Sequence, residues 1–524
     1  MPDPLECERE VPTYRDGAFA FDPQFANHGP AALGLLLMLV GAESESGVRA
    51  RIPMNSPRTQ DIALTYACKP PDLVVYFPWT IASERRIVFW HEARARGRSS
   101  AVTDEIRTTY NQLLEGIARE LDIPPSKYRV AVERYTSVGT WLEGGQYAGS
   151  QGVPYIYPQG SFRLGTVVRP IVGGTEADYD IDLVCQLQVP KGSSSPGVIK
   201  TTVGDRIKEN SNYQRMLAEE GRRCWTLEYA ENDGIGFHLD VLPASPEEEA
   251  IVFSVTGAGV PVQMANKAIA ITNRDGDAKY SWSSSNPNGF ADWFDEINRP
   301  VFQRVAAEQK TAILESDRSV FAKVDDVPDQ LVRTPLQRAI QILKRHRDLR
   351  FVGHEAEADK PISMVLTVLS ASLYGQEGDT LSTLQNIVAK LGARAKLLQP
   401  GASLDESVAG LNLIERRADG TWLIRNPVNP AENFADRWHE NNDQKARAFF
   451  AWVGWVRTDL LDVLMHEDAG ILEKSLEPRL GQRVVEAASR GVYVAAAPAL
   501  VSSRSQDVPL VHIKGPSKPW GFHA

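Results

Sequence analysis

The stretch "DYDIDLVCQL", Asp178 to Leu187, sets a carboxylate at every second position and then turns apolar. In an extended strand alternate side chains share a face, so Asp178, Asp180 and Asp182 would point one way while Tyr179, Ile181 and Leu183 point the other. Like charges at that spacing repel, and water, basic side chains or a divalent metal must offset the repulsion. A calcium-binding helix-loop-helix requires Gly at its sixth loop position and Glu at its twelfth. Counting from Asp178 gives Leu183 and Val189, which excludes it. An isolated acidic strand face is more often solvated than catalytic, so the neighbouring motifs decide.

Upstream, "PQGSFRLGT" places Gly160-Ser161 where they would open a short helix, with free backbone N–H groups and a hydroxyl suited to a phosphate tail. Downstream, "FHLDVLP" sets Asp240 in a second strand between apolar Leu239 and Val241. If the two strands pair, Asp180, Asp182 and Asp240 can converge on two Mg2+ ions, for which Mn2+ could substitute. Two metals bridged by carboxylates, about 3.5 to 4 Å apart, suit in-line attack of a hydroxyl on a nucleoside triphosphate. Each piece is common alone, whereas the ordered set is fairly specific.

The elements around these residues read as mixed α and β. A helix pattern begins after Thr103-Asp104 with "EIRTTYNQLLEGIARELDI", and "YRVAVERYTSVGTWLEG" forms another. The acidic strand, a Ser/Gly/Pro loop, the strand near Phe237 to Pro243 and a polar loop from Ser281 to Gly289 follow. From about Thr334 the pattern turns helical, through "PLQRAIQILKRHRDLRF", "PISMVLTVLSASLY", "LSTLQNIVAKLGARAKLL" and "KARAFFAWVGWVRTDLLDVL". The first hundred residues show little periodicity and read as an appendage. Their apolar run Ala31 to Ala42 is expected to be a small buried helix, since a membrane span needs roughly 18 to 20 such residues.

The 524 residues are 43% hydrophobic and 24% charged, which suits a globular protein of two to four domains. A net charge of -10 argues against a protein that coats nucleic acid through a basic surface. The four cysteines show no C-x-x-C spacing, so no disulfide scaffold or zinc site is indicated and a reducing cytoplasm fits best.

The order Gly160-Ser161, Asp180-x-Asp182, Asp240 resembles the DNA polymerase beta-like nucleotidyltransferases. The wording "YPQGSFRLGTVVRP", "YDIDLVC", "FHLDVLPA", "SNPNGFADWF" and "LQRAIQILKRHRD" resembles the bacterial cGAS/DncV-like nucleotidyltransferases of anti-phage signalling, over roughly residues 104 to 480. The resemblance implies an α+β fold: a polymerase beta-like core of mixed sheet and helices at 104–300, and a helical lobe at 301–495 completing a central cleft. Residues 1–103 would be an appendage or a misassigned start, and 496–524 a C-terminal tail. It also implies a synthase that joins ATP and other ribonucleoside triphosphates into a cyclic di- or trinucleotide, a second messenger for a downstream effector. Some relatives have their C-terminus conjugated by a ubiquitin-transfer-like partner. No membrane and no obligatory nucleic acid is expected.

Carried over by position, Gly160 and Ser161 would bind the donor triphosphate, while Asp180 and Asp182 hold the metals. Asp240 would complete the metal site and help deprotonate the acceptor hydroxyl. Lys344, ordinarily a solvent-exposed helix lysine, and Ser363, ordinarily a helix N-cap, become triphosphate contacts under the resemblance. Asp178 is expected in a solvated or supporting role, and His238 as a core or supporting histidine because hard Mg2+ prefers oxygen. Arg163 either steadies phosphates or supports its loop. A template-independent transferase acting on RNA ends or on a protein is the enzyme alternative, and a nucleotide-binding scaffold without catalysis is the other.

Overall fold

In the computed structural model the described residues are 48–51, 60–66, 73–79 and 98–496, apart from 170, 173–174, 233–234, 277–278, 400–412 and 466–468. The chain divides into two compact units, Met1–Asp104 and Glu105–Ala524. In the first, β1 (Val48–Arg51), β2 (Gln60–Tyr66) and β3 (Leu73–Trp79) make an antiparallel sheet in that order. The apolar run 31–42 and the tail 497–524 lie outside the described residues.

The second unit is built on a six-stranded sheet. Its strands are β4 (Tyr155–Gln159), β7 (Tyr179–Gln186), β8 (Trp225–Asn232), β9 (Ile235–Pro246), β10 (Ile269–Gly276) and β11 (Lys279–Ser285), and a small ribbon of β5 (Ile171–Val172) and β6 (Thr175–Glu176) precedes β7. The order is β11-β10-β9-β7-β4, with β8 also paired to β9. Only β7 and β9 run parallel within it. The period-two pattern explains the sheet's two faces. Tyr179, Ile181, Leu183 and Cys185 join Phe237, Leu239 and Val241 in a core with Ala131, Val138 and Leu142 of helix Pro125–Glu143 and with Ile199, Val203 and Ile207 of helix Pro196–Lys208. Leu183, Leu239 and Val241 are fully buried, each contributing about 1.5–3 kcal/mol of burial free energy. The opposite face carries the aspartates and, further along, Tyr157, Val184, Leu242 and Ala244.

A second core gathers helices Arg98–Leu121, Pro335–Phe351, Ser363–Leu373, Thr380–Ala393, Glu440–Val456 and Ala469–Leu480. Neither core respects the sequence boundary at 300/301. The first helix of the unit packs into the helical core, and the single helix Pro287–Ser316 places Phe290 and Phe294 there while Ile313 packs against the sheet core. Helix Pro335–Phe351 starts on a capping box in which Thr334 and Gln337 satisfy each other's backbone N–H groups, with Pro335 in the first turn.

Two sequence expectations need correction. The Ser/Asn-rich segment from Ser281 to Gly289 is no loop: its serines lie on edge strand β11, and Asn286 caps the helix that begins at Pro287. Polar side chains suit an edge strand that faces water on one side, so composition alone mimics a loop. The helical region also holds two small ribbons, β12 (Glu415–Arg416) with β13 (Trp422–Leu423) and β14 (Arg425–Asn426) with β15 (Asn429–Asn433).

Asn286 is fully buried; its Oδ1 accepts from Gly289 N at 2.9 Å and its Nδ2 donates to Met264 O and Val428 O. Asn286→Ala removes the cap and strands two buried carbonyls, so it should cost about 2–3 kcal/mol, read as a lower denaturation midpoint at unchanged slope. A midpoint equal to that of the wild type would contradict this account.

Candidate active site

The parallel register of β7 on β9 sets Asp180 beside His238 and Asp182 beside Asp240. Strand β8 adds Thr226 opposite Asp240, and β4 ends with Gln159 opposite Asp182. All of these side chains rise on one face, away from the apolar core. Gly160 follows Gln159 directly and opens the helix Gly160–Leu164, which closes on left-handed Gly165. Gly160 itself has φ +64°, and a Cβ there would run into the Asp182 carboxylate. Two independent constraints thus require glycine: the backbone angle and the approach of the turn to the acid.

The face is electrostatically crowded. Burial, then Asp240 and Asp180, push the Asp182 carboxyl up to about 7, with Lys344 opposing. The surrounding protein, Asp240 and Asp178 also raise Asp180, against the pull of His238. Thr226 Oγ1 donates to Asp240 Oδ1, which fixes that carboxylate and leaves Oδ2 for other partners. Cys224 lies close enough for Asp240 and Asp182 to help burial raise its thiol to about 12, so it stays protonated and inert.

Three oxygen donors with uncompensated negative charge fit a hard divalent cation in donor chemistry. Among the described residues, however, no three acidic, imidazole or thiol groups close into a ready-made cation shell. Each acid has its own neighbour: Asp240 is held by Thr226, and the Asp180 carboxylate lies 3.7 Å from His238 Nδ1. The triad expected from the sequence therefore shares a face and a register.

The remaining candidates separate clearly. Asp178 Oδ1 accepts from Gly236 N at 2.8 Å, tying the approach of β7 to the start of β9. His238 is half-exposed between Asp178 and Asp180, both at 3.7 Å, so it is no core histidine. Arg163 pairs with Asp295 of helix Pro287–Ser316 at 2.6 Å and supports its turn. Lys344 is buried rather than solvent-exposed, because its helix is covered on nearly every side; Nζ donates to Thr166 O and Oγ1 at 3.0 and 3.1 Å. Burial, helped by Arg347, brings the Lys344 ammonium down to about 7, while Asp348 and Asp182 oppose the shift. Ser363 is exposed on the first turn of its helix and accepts from Arg347 Nη1 at 3.0 Å, and Ile362 takes the N-cap position in its place. Thr226, Gln337 and Gln341 were not legible as site residues. The only sequence signal for the two glutamines is a polar row at helical spacing.

The family model for the nucleotidyltransferase domain of cyclic GMP-AMP synthase DncV-like proteins matches residues 154–243, which run from β4 through the Gly160 turn and both acidic strands. Residues 154–243 thus carry the sequence pattern of a DncV-like nucleotidyltransferase domain. The c-di-GMP synthase of Roseivirga ehrenbergii is 27% identical over 338 residues, 64% of this chain and 75% of that protein. The cyclic dinucleotide synthase CdnG of Bradyrhizobium diazoefficiens is 24% identical over 445 residues, 79% of this chain and 95% of that one. The solved structure of the latter CD-NTase in complex with GTP shares the fold, with a TM-score of 0.53 at 20% identity over 73% of this chain and 99% of that chain. This nucleotidyltransferase is thus a polymerase beta-like core joined to helices. No helix among its described residues is long and apolar enough to cross a membrane.

Asp182 titrates at about 7 in the folded chain against an ordinary 3.8, so the folded state binds more protons between those values and loses stability as pH rises through them. Asp182→Asn should match the wild type near pH 4 and exceed it above pH 7 by on the order of 2 kcal/mol after solvent screening. Thermal unfolding of both proteins across that range checks this; a gap that fails to widen with pH would refute the crowding.

Proposed function

We propose that this nucleotidyltransferase joins ribonucleoside triphosphates, GTP among them, into a cyclic di- or trinucleotide that acts as a second messenger in anti-phage defence. The observation that carries the reading is the register that sets Asp182 opposite Asp240 directly beside the Gly160 turn. The names of the relatives, a c-di-GMP synthase and a cyclic dinucleotide synthase, support the dinucleotide and guanine assignments.

In this mechanism Asp180, Asp182 and Asp240 hold two Mg2+ ions, which when bound lower the pKa of the acceptor hydroxyl and neutralise the departing pyrophosphate. Backbone N–H groups of the turn and the Ser161 hydroxyl bind the donor triphosphate. Asp240, its carboxylate held in place by Thr226, helps deprotonate the acceptor ribose hydroxyl. The ribose oxygen then attacks the α-phosphorus, and the bond to the bridging oxygen of the β-phosphate breaks to release pyrophosphate. A second, intramolecular round of the same step closes the ring. Lys344 acts through Thr166, and Ser363 contributes only where the triphosphate extends to the start of its helix. Conjugation of the C-terminus by a ubiquitin-transfer-like partner concerns residues outside those described.

Purified protein incubated with all four ribonucleoside triphosphates and Mg2+ or Mn2+, then treated with phosphatase, should leave a resistant product with the mass of a cyclic di- or trinucleotide. Asp180→Ala/Asp182→Ala should reduce it by at least about a thousandfold. Labelling of added RNA or protein without a cyclic product would replace this reading with a template-independent transferase, and full biological effect in the double variant would make the chain a scaffold.

A further inference from the structure

Helix Pro335–Phe351 turns one polar row toward the segment that follows the Gly160–Ser161 turn. Gln337, Gln341 and Lys344 succeed one another at helical spacing, and each donates to a main-chain carbonyl. Gln337 Nε2 reaches Leu164 O at 2.9 Å, Gln341 Nε2 reaches Val167 O at 3.0 Å, and Lys344 Nζ reaches Thr166 O at 3.0 Å. Thr166 in turn donates its N–H to Ser161 O at 3.0 Å, so the row reaches the serine through one further hydrogen bond. Left-handed Gly165 sits so close beneath that a Cβ there would press on Gln337 Nε2 and Arg333 Nη1.

Chemistry fixes both amide orientations. Gln341 Nε2 lies between two acceptors, Val167 O and the Asp122 carboxylate at 2.7 Å, so only its NH2 end can face them. Gln337 Oε1 accepts from Thr334 N while its Nε2 meets Leu164 O, so one side chain both caps its helix and grips the segment after the turn. Asp122 is held further by Arg333 Nε at 3.0 Å, which anchors the row to the end of helix Arg98–Leu121. A short turn stabilised from behind in this way has already lost the conformational freedom that a triphosphate would otherwise have to remove.

We propose that Gln337 and Gln341 are positioning residues for nucleotide binding: they set the posture of the Gly160–Ser161 turn, and with it the affinity for the donor triphosphate, without touching the reacting atoms. The proposal rests on the synthase reading above for the identity of the ligand. A purely structural role for the row predicts altered stability with unaltered affinity. A positioning role predicts a KM effect with kcat preserved.

Two variants separate these outcomes. Gln337→Glu keeps an acceptor for Thr334 N, so the helix cap survives while the donor to Leu164 O is lost. Gln341→Met keeps the volume and removes both donors without adding charge. With GTP and Mg2+ as the probe, each should raise KM for GTP and its equilibrium Kd by roughly threefold to tenfold. The kcat of each should stay within about twofold of wild type. KM and Kd within about twofold of wild type in both variants, or a loss confined to kcat, overturns the proposal. Should Gln341→Met fail to fold, Gln337→Glu carries the comparison. Wild-type protein that binds GTP but makes no product sinks the synthase reading alone and leaves Kd to decide the positioning role; binding of neither GTP nor ATP overturns both.

Discussion

Parallel pairing of β7 with β9 holds two carboxylates, Asp182 and Asp240, across a single strand spacing of roughly 4.8 Å. Backbone hydrogen bonds and a dry core on the opposite face enforce that pairing, so the charges cannot drift apart without slipping the whole sheet. A slip of one residue would send the acids into the apolar core and bring Ile181 and Leu239 out to the cleft. The free energy of the core therefore enforces the repulsion, and most of the surrounding design follows from managing it. Thr226 ties down one acid, His238 stands beside another, and the turn residue pressed against Asp182, Gly160, carries no side chain.

What the sequence disclosed follows from the range of the interaction involved. The alternation from Asp178 to Leu183 is local, and its period of two announces both the strand and its acidic face. Gly160-Ser161 is also legible as a helix start, yet the strongest reason for the glycine, its approach to Asp182, exists only once β4 has paired with β7. Asp240 could be matched to its partners from the chain only conditionally, because parallel pairing across a long connection leaves no mark on either strand. Thr226 had no local signature at all.

The misreadings share one cause. Lys344 and its neighbours form a strongly charged helix, which by composition belongs at the surface, but Arg338, Gln341, Lys344, Arg345, His346 and Arg347 are all buried because the helix is packed inside the helical core and covered by the segments around it. Many of its polar groups meet carbonyls and carboxylates from distant segments, among them Glu115, Asp122, Thr166 and Asp459. The Ser-rich stretch at 281–285 misleads in the opposite direction, since an edge strand can be polar and still be regular.

Helix Pro287–Ser316 has a mechanical consequence. At 30 residues it is a rod about 45 Å long, seated in the helical core by Phe290 and Phe294 and in the sheet core by Ile313. Asp295 holds Arg163 near one end, and Gln309 holds both backbone polar groups of Arg333 toward the other. Between those clamps lies Pro300, which has no amide hydrogen for the Glu296 carbonyl and whose ring crowds that turn. A beam clamped at both ends yields at its weakest section. That section is Pro300, which falls between the part of the rod seated in the helical core and the part seated in the sheet core.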